Sequence, residues 1–334
     1  MKKLFSALLV VLISGATCAW AAGVDIPYVQ KPKYKLRLAH ALQTDSPYDK
    51  GANRFSQLVA IYSKGAASVQ VFGNAQLGLE HDAVKDAQLG LVDFSLNAIN
   101  NITMWYPKMD VTIMPMIFRD RYHVEAFLAS PVWENMKAEY LKASGLRIIS
   151  VFEWGDRGIA TKKTAIEKPS DLKGLKIRLP KNPVMLDTYQ ALGATPTAID
   201  FGELYSALQQ GLADGLESPP QGVIDMKVTD FLKNYSAAHI FYGLAIITMN
   251  EKKFQSLPPE MQQVVVRAGE EAGEYQRWTS AVAHVDGLER LEKLGVKVNV
   301  VKDMAPFWEA VQPVYKKYGP IIGEDLIEQV RNIK

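Results

Sequence analysis

The chain has 334 residues, of which 48% are hydrophobic and 22% are charged, with 38 lysines and arginines against 36 acidic residues. A chain of this length and apolar content can bury two hydrophobic cores, so we expect two domains. The charges nearly balance and form no basic stripe or acidic tail, which argues against nucleic acid or a membrane surface as the partner.

Residues 1–22 have the organisation of a secretory signal peptide. Two lysines precede the apolar run Leu4–Ile13, and an A-x-A cleavage motif follows at residues 19–21. The run is too short to span a bilayer, which takes about twenty residues. We therefore expect cleavage after Ala21 or Ala22 and secretion into the periplasm. Removal of this segment would leave equal numbers of basic and acidic residues.

Cys18 is the single cysteine of the chain and lies within the predicted signal peptide. The mature protein is therefore expected to contain no disulfide, although its compartment is oxidising. A lipoprotein attachment site at Cys18 is the alternative, and Thr17 before it fits such a site poorly.

Strand and helix patterns alternate through the first part of the mature chain. Strands are predicted at 34–40, 68–72 and 91–96, and helices between them at 45–62 and 79–89. This order predicts a mostly parallel sheet covered by helices. Ligands of open α/β sheets bind outside the carboxyl ends of the strands. The loops expected to face a ligand are therefore those near 40–46, 73–80 and 97–101.

The middle and end of the chain predict two long-range connections. Leu146–Phe152 reads as a strand, and residues 153–157 as the loop after it, in which the chain first crosses between domains. The apolar strand Tyr242–Met249 is expected to return to the first domain's sheet. A helical pattern from Pro258 towards Gly295 would be about 50 Å long at 1.5 Å per residue. Such a helix is longer than one domain and is expected to lie across both.

The segment 169–219 contains the clearest candidate for a binding residue. A strand at 175–179 places Arg178 on its polar side near the carboxyl end. Asn182-Pro183 then reads as the N-cap and first residue of a helix. A helix start offers free N–H groups, and a guanidinium offers a planar pair of donors to a carboxylate. The pattern predicts an anion site, with an exposed arginine in a surface salt bridge as the alternative.

Two further patterns bear on the chemistry. Asp200 lies three residues before Glu203, which is the spacing of a capping box at a helix start. The five histidines show no H-x-x-x-H or H-E-x-x-H spacing, and nucleophile-elbow and nucleotide-binding motifs are absent from the sequence. We therefore expect no metal, no cofactor and no catalytic residues.

Several strings are specific enough to indicate a family. DLKGLKIRLP, ALGATPTAIDFGELYSALQQGLADGLESP and SLPPEMQ, with FGNAQLGLE and GLVDFSL upstream, resemble the DctP-type periplasmic solute-binding proteins of TRAP transporters over roughly residues 34–330. The resemblance implies a two-domain α/β periplasmic-binding-protein (Venus flytrap) fold that closes on a ligand in a cleft between its lobes. One lobe would comprise residues 31–155 and 244–283, and the other residues 156–243 and 284–334.

The resemblance also implies roles for individual residues of the second lobe. Arg178 would clamp the ligand's carboxylate, and Arg157, in the loop after a strand, would also reach the ligand. Phe201 would pack on the ligand, although a simple core position is the alternative. Ser218 stands where the family usually has asparagine, and a serine offers one donor where an amide offers two. This departure affects the expected identity of the ligand.

Residues of the first lobe and its border complete the predicted site. Glu80 matches a position at which some members place an acid against ligand hydroxyls, but it could equally be an acid favoured by a helix N-terminus. The remaining candidates for the lip or the pocket are Asn97, Asn100, Asn101, Trp154 and Tyr242.

The function implied by the resemblance is capture of a small organic acid and its delivery to the membrane permease subunits of a TRAP transporter, by a monomer. A binding protein that signals to a receptor, or an enzyme acting on a carboxylic acid, are the alternatives. C4-dicarboxylates, hydroxy or keto acids, sugar acids and aromatic acids would all fit an arginine clamp. The balanced mature charge and Ser218 tilt the prediction away from a plain dicarboxylate.

Overall fold

The computed structural model describes residues 31–334, so the predicted signal peptide and Cys18 lie outside the described part. Its strands belong to one mixed sheet of nine strands. The strands are β1 (Tyr34–Ala39), β2 (Ala67–Phe72), β3 (Phe94–Ala98), β4 (Leu146–Thr161), β5 (Lys176–Leu179), β6 (Thr195–Ala198), β7 (Gly215–Ser218), β8 (Asn234–Asn250) and β9 (Lys297–Val300).

The sheet consists of two parallel sets joined by two long antiparallel strands. Its strand order is β2-β1-β3-β8-β4-β7-β5-β6, and β9 pairs alongside β8. β1 runs parallel to β2 and β3, as the alternating pattern predicts, and β5 runs parallel to β6 and β7. β8 and β4 pair with each other and connect the two sets. The carboxyl ends of β1, β3, β5 and β7 therefore lie around the same region, between the two sets.

The predicted loop at residues 153–157 is wrong. The chain stays extended there, because β4 continues as one strand of 16 residues that pairs with β8 over most of its length. The pairing register shifts at three places, one of them at Gly155, whose φ of +89° suits glycine. β8 begins at Asn234, earlier than predicted, and its last part pairs with β3 of the first set.

Twelve α-helices cover the sheet. They are α1 (Pro47–Tyr62), α2 (Glu80–Leu89), α3 (Arg121–Leu128), α4 (Pro131–Ser144), α5 (Pro183–Ala191), α6 (Leu204–Gln209), α7 (Pro220–Asp225), α8 (Glu251–Gln255), α9 (Pro259–Lys293), α10 (Ala305–Ala310), α11 (Gln312–Ile322) and α12 (Glu324–Asn332) within the described residues. Short 3₁₀ helices lie at Ile99–Asn101, Pro107–Ile113, Pro169–Leu172, Phe201–Glu203 and Val228–Asp230. None of the helices in residues 31–334 combines the length and apolarity needed to cross a bilayer.

The long helix near the end of the chain is confirmed. α9 has 35 residues, about 52 Å at 1.5 Å per residue. It contacts α1 and β4 on the side of the first parallel set, and α7 and β9 on the side of the second. A β-carbon at Gly269 would overlap the carbonyl oxygen of Ile149, and one at Gly273 would lie 2.8 Å from Ser150 Oγ. These glycines let α9 lie directly against β4.

The predicted lobe boundaries fall inside continuous elements. The boundary at 155/156 lies within β4, the one at 243/244 within β8, and the one at 283/284 within α9. Buried apolar side chains gather under α1 and α9, around α6 and α7, and in a larger cluster that reaches from α2 to the C-terminal helices. The residue limits of the two lobes stay a prediction.

Candidate ligand-binding site

A cavity that is open to solvent on one side lies at the carboxyl ends of the two parallel strand sets, with about 460 Å³ of empty space when the open part is included. Each loop predicted to face a ligand contributes to it, as do β4, β5 and β7. Its lining residues are Leu42, Tyr48, Glu80, Ala98, Asn100, Asn101, Trp154, Arg157, Arg178, Pro180, Phe201, Glu217, Ser218 and Met226. Side chains from both strand sets therefore surround one space, as expected for a site at strand ends.

Among the charged side chains of this wall, Arg178 on β5 has the most hydrogen-bonding capacity left for a ligand. Its side chain is 95% buried, and its Nε donates to the carbonyl oxygen of Ile199 at 2.9 Å. Within residues 31–334 no carboxylate lies at ion-pair distance from Arg178, and its two terminal nitrogens make no hydrogen bond. Burial lowers the pKa of Arg178 to about 10, so the guanidinium remains charged at neutral pH. The alternative of an exposed surface arginine does not hold.

Arg157 also lines the cavity, but its charge is already paired. Its Nε and Nη2 donate to the two carboxylate oxygens of Glu217, and both side chains are buried. Burial alone would lower the pKa of Arg157, but the carboxylate of Glu217 outweighs it and raises this pKa. Arg157 therefore contributes a neutral pair to the wall, whereas Arg178 contributes a net positive charge.

Glu80, the first residue of α2, faces the same cavity. Burial raises the pKa of its carboxyl group, against the opposing effects of the positive charge of Arg178 and a hydrogen bond from Asn101. Asn101 in turn accepts a hydrogen bond of 2.8 Å from the side chain of Asn100. Glu80 and the two amides form the polar side of the cavity contributed by the first strand set.

Asp200 lies close by but is compensated by its own neighbour. The sequence pattern predicts that Asp200 caps the helix that follows, yet its side chain makes no capping hydrogen bond. It accepts a hydrogen bond of 2.7 Å from Lys181 Nζ instead. The capping-box prediction is wrong because the lysine at the start of the neighbouring turn offers a full charge to the same carboxylate.

Aromatic side chains form the apolar part of the wall. Tyr48 and Trp154 meet edge to face with ring centroids 5.0 Å apart, a favoured geometry for aromatic pairs. Phe201 is half-buried and packs against two of the apolar clusters. It also lines the cavity, so its position is compatible with ligand contact and with a packing role. Tyr48 was missed by the sequence reasoning, although it follows directly on the predicted helix start at Pro47.

Ser218, at the end of β7, lies beside a tightly packed glycine. Its carbonyl oxygen accepts a hydrogen bond of 3.0 Å from the hydroxyl of Tyr235. A β-carbon at Gly222 would overlap Ser218 Oγ and would lie 2.8 Å from Trp154 Cζ2. The shape of the cavity around Ser218 and Trp154 thus depends on the absence of a side chain at Gly222 in α7.

Two of the predicted site residues do not line this cavity. Asn97 is buried in β3, and its amide atoms have no hydrogen-bond partner within residues 31–334. Tyr242 lies in β8 and donates to Glu153 Oε2 at 2.8 Å. It lines a different cavity, together with Asp156, His239 and His284. The described residues contain no cluster of three or more His, Asp, Glu or Cys arranged to hold a metal ion.

Comparison with known proteins gives a consistent result. The family model for bacterial extracellular solute-binding protein, family 7, matches residues 38–320. The 2,3-diketo-L-gulonate-binding periplasmic protein YiaO of Escherichia coli K12 is 30% identical over 296 residues, which cover 87% of this chain and 89% of that protein.

Solved structures of TRAP periplasmic solute-binding proteins share the architecture. One from Sulfurospirillum deleyianum, with bound succinate, has a TM-score of 0.86 and 27% identity, covering 91% of this chain and 100% of that chain. Another from a Polaromonas species, bound to D-erythronate, has a TM-score of 0.87 and 27% identity, covering 90% of this chain and 99% of that chain. At equal identity, one of these relatives holds a dicarboxylate and the other a hydroxylated monocarboxylate.

Proposed function

This chain belongs to bacterial extracellular solute-binding protein family 7, and we propose that it binds the carboxylate of a small organic acid through Arg178. It is a solute-binding protein of the TRAP transporter type, with the two-lobed α/β fold of that group. The relatives and solved structures are solute-binding proteins that hold organic acids, which supports this class of ligand.

The observation that carries the proposal is the buried guanidinium of Arg178 without a carboxylate partner among residues 31–334. Burying a charge is costly unless it is paired. A carboxylate brought in from outside can accept two parallel hydrogen bonds from the terminal nitrogens of Arg178. Because Arg178 is buried, this ion pair is stronger than it would be at the surface.

The other lining residues would shape the site around that contact. Arg157, fixed by Glu217, would keep one wall rigid and leave its third nitrogen, Nη1, for a ligand oxygen. The rings of Trp154 and Phe201 would pack against the carbon skeleton of the acid, and Ser218 would offer a hydroxyl. Asn97 and Tyr242 lie outside the proposed site.

The delivery step follows from the family, whose members work with TRAP membrane permeases. We propose that the protein acts in the periplasm as a monomer and hands its ligand, chemically unchanged, to those membrane subunits. A role as an enzyme has no support from the cavity, where the two acids Glu80 and Glu217 lie beside arginines and no nucleophile–base pair lines the wall among the described residues.

Calorimetric titration with a library of organic acids tests the proposal. The Arg178→Met variant removes the charge and keeps much of the side-chain volume. We expect it to lose about 3–5 kcal/mol of binding free energy, because a buried anion is left unpaired, which corresponds to roughly 10²- to 10³-fold or more in affinity. Arg267→Met serves as the matched control, because Arg267 pairs with Glu271 on the exposed face of α9. Near-wild-type affinity of Arg178→Met would remove Arg178 from the site.

A further inference from the structure

We propose that Asn182 is a positioning residue that fastens the two parallel strand sets to each other beside the ligand cavity and thereby slows the release of a bound acid. Asn182 lies between β5 and α5, a few residues after Arg178. It is not among the residues that line the cavity, so it acts by holding other groups in place. The inference goes beyond the proposed function and rests on it only where ligand release is concerned.

The orientation of the Asn182 amide is fixed by the helix that it caps. Its Oδ1 accepts a hydrogen bond of 3.1 Å from the backbone N–H of Met185, and only the oxygen of an amide can accept such a bond. The Nδ2 group must therefore point away from α5. Because the residue is only 1% exposed, this donor needs a partner inside the protein.

The acceptors that surround Nδ2 all belong to the segment after β3. Nδ2 lies 3.3 Å from the carbonyl oxygen of Asn100, 3.2 Å from Thr103 Oγ1 and 3.1 Å from Asp110 Oδ1. β3 belongs to the first parallel set and β5 to the second. One buried side chain thus joins parts of the chain that are at least 72 positions apart.

This contact lies at the edge of the ligand cavity. Asn100 lines the cavity from the first set, and Arg178 and Pro180 line it from the second. Separation of the two sets would pull Nδ2 away from its acceptors and break a hydrogen bond to the carboxylate of Asp110, which is of the stronger, charge-assisted kind. The contact therefore stabilises the arrangement in which Asn100 and Arg178 face the same space.

The experiment reverses the donor and the acceptor of the contact. Asn182→Asp keeps a capping oxygen at position 182, but a second carboxylate oxygen replaces the donor that faces Asp110. Release of the tightest-binding acid of the calorimetric library is followed by stopped-flow fluorescence of Trp154, which lines the cavity. We expect it to become at least about tenfold faster. Adding Asp110→Asn restores a donor and an acceptor in the opposite order, so the release rate should return to within about threefold of the wild type.

Asn250→Asp is the matched control. Asn250 caps α8 through its Oδ1, and its Nδ2 donates to the carbonyl oxygens of Ala87 and Gln88. The variant loses the same kind of donor, but its contacts lie on the side of the first strand set, where the end of β8 pairs with β3. Its release rate should stay within about threefold of the wild type.

A measurement without ligand tests the same contact separately. Spin labels at Gln57→Cys in α1 and Gln209→Cys in α6, both exposed positions, report the distance between the two sets by double electron–electron resonance. Asn182→Asp should lengthen this distance, and the added Asp110→Asn should shorten it again. Release at the wild-type rate from Asn182→Asp, or a double variant no slower than the single one, would overturn the inference and leave the proposed function standing. If no acid of the library binds the wild type, the proposed function fails, and an unchanged distance in Asn182→Asp would then overturn the inference.

Discussion

Glu217 on β7 holds Arg157 on β4 by two hydrogen bonds, and both side chains are buried in the wall of the ligand cavity. Their strands are adjacent and antiparallel, so the pair ties the middle of β4 to the second parallel strand set. One arginine of the cavity is thus fixed by the protein itself, and the other, Arg178, is left for the ligand.

The Arg157–Glu217 pair should be important for stability. Replacing Glu217→Gln leaves a buried guanidinium without its counter-charge, and we expect a loss of about 3–5 kcal/mol in the free energy of unfolding. Urea denaturation followed by circular dichroism measures it. Glu289→Gln is the control, since its pair with Lys293 is exposed and should matter little. In the double variant Arg157→Met with Glu217→Leu we expect part of the loss to be recovered, and a double variant worse than the single one would contradict the account.

The glycine at position 222 should be required for ligand binding. In Gly222→Ala the new methyl group would collide with Ser218 Oγ and the indole of Trp154. We expect affinity to fall by about tenfold or more, and stability to fall by about 1–3 kcal/mol through overpacking. Calorimetry and thermal unfolding measure the two effects. Gly202→Ala is the matched control, because its β-carbon would meet Leu79 at an ordinary contact distance of 3.5 Å. Equal affinities for both variants would show that the cavity tolerates the shift.

The second cavity predicts a dependence of stability on pH. His239 Nδ1 lies 2.6 Å from Asp156 Oδ1, and its Nε2 lies 2.8 Å from the carbonyl oxygen of Phe118. Both neighbours are acceptors, so the doubly protonated imidazolium suits the site. Burial opposes the charge, but the hydrogen bond to Asp156 outweighs it, and the pKa of His239 is raised.

Because the folded pKa of His239 lies above the unfolded value of about 6.5, its stabilisation is fully present below that pH and is lost as the pH rises through the folded pKa. The melting temperature of the wild type should therefore exceed that of His239→Gln most at low pH. His81 should show the opposite pH dependence, since burial lowers its pKa. The melting temperature of the wild type minus that of His81→Gln should therefore grow with rising pH. A pH-independent difference for His239→Gln would contradict the assignment.

Much of the anion site follows from local sequence signals. The position of Arg178 near a strand end and the helix start at Asn182 both depend on residues a few places apart, and the structure has both: Asn182 Oδ1 accepts from the backbone N–H of Met185 at 3.1 Å. The long helix α9 likewise follows from a sustained helical pattern. Such features need no knowledge of the rest of the chain.

Features that depend on contacts between residues far apart in the chain could not be predicted from the sequence. Residues 153–157 contain charged and glycine residues and read as a loop, yet their charged side chains meet groups from other elements. Glu153 accepts a hydrogen bond from Tyr242, Asp156 lies 2.6 Å from His239, and Arg157 donates to Glu217. These partners lie at least 60 positions away in the sequence. Nothing local shows that an extended strand with buried charges is stable there.

The paired course of β4 and β8 also decides how the two halves of the molecule move. The pairing runs from Leu146 opposite Asn250 to Arg157 opposite Phe241, and it resumes from Ile159 opposite Ser236 to Thr161 opposite Asn234, which leaves residues 237–240 of β8 without a partner on β4. Rotation of one half against the other would therefore have to twist these paired segments, whereas two unpaired linkers would permit free rotation.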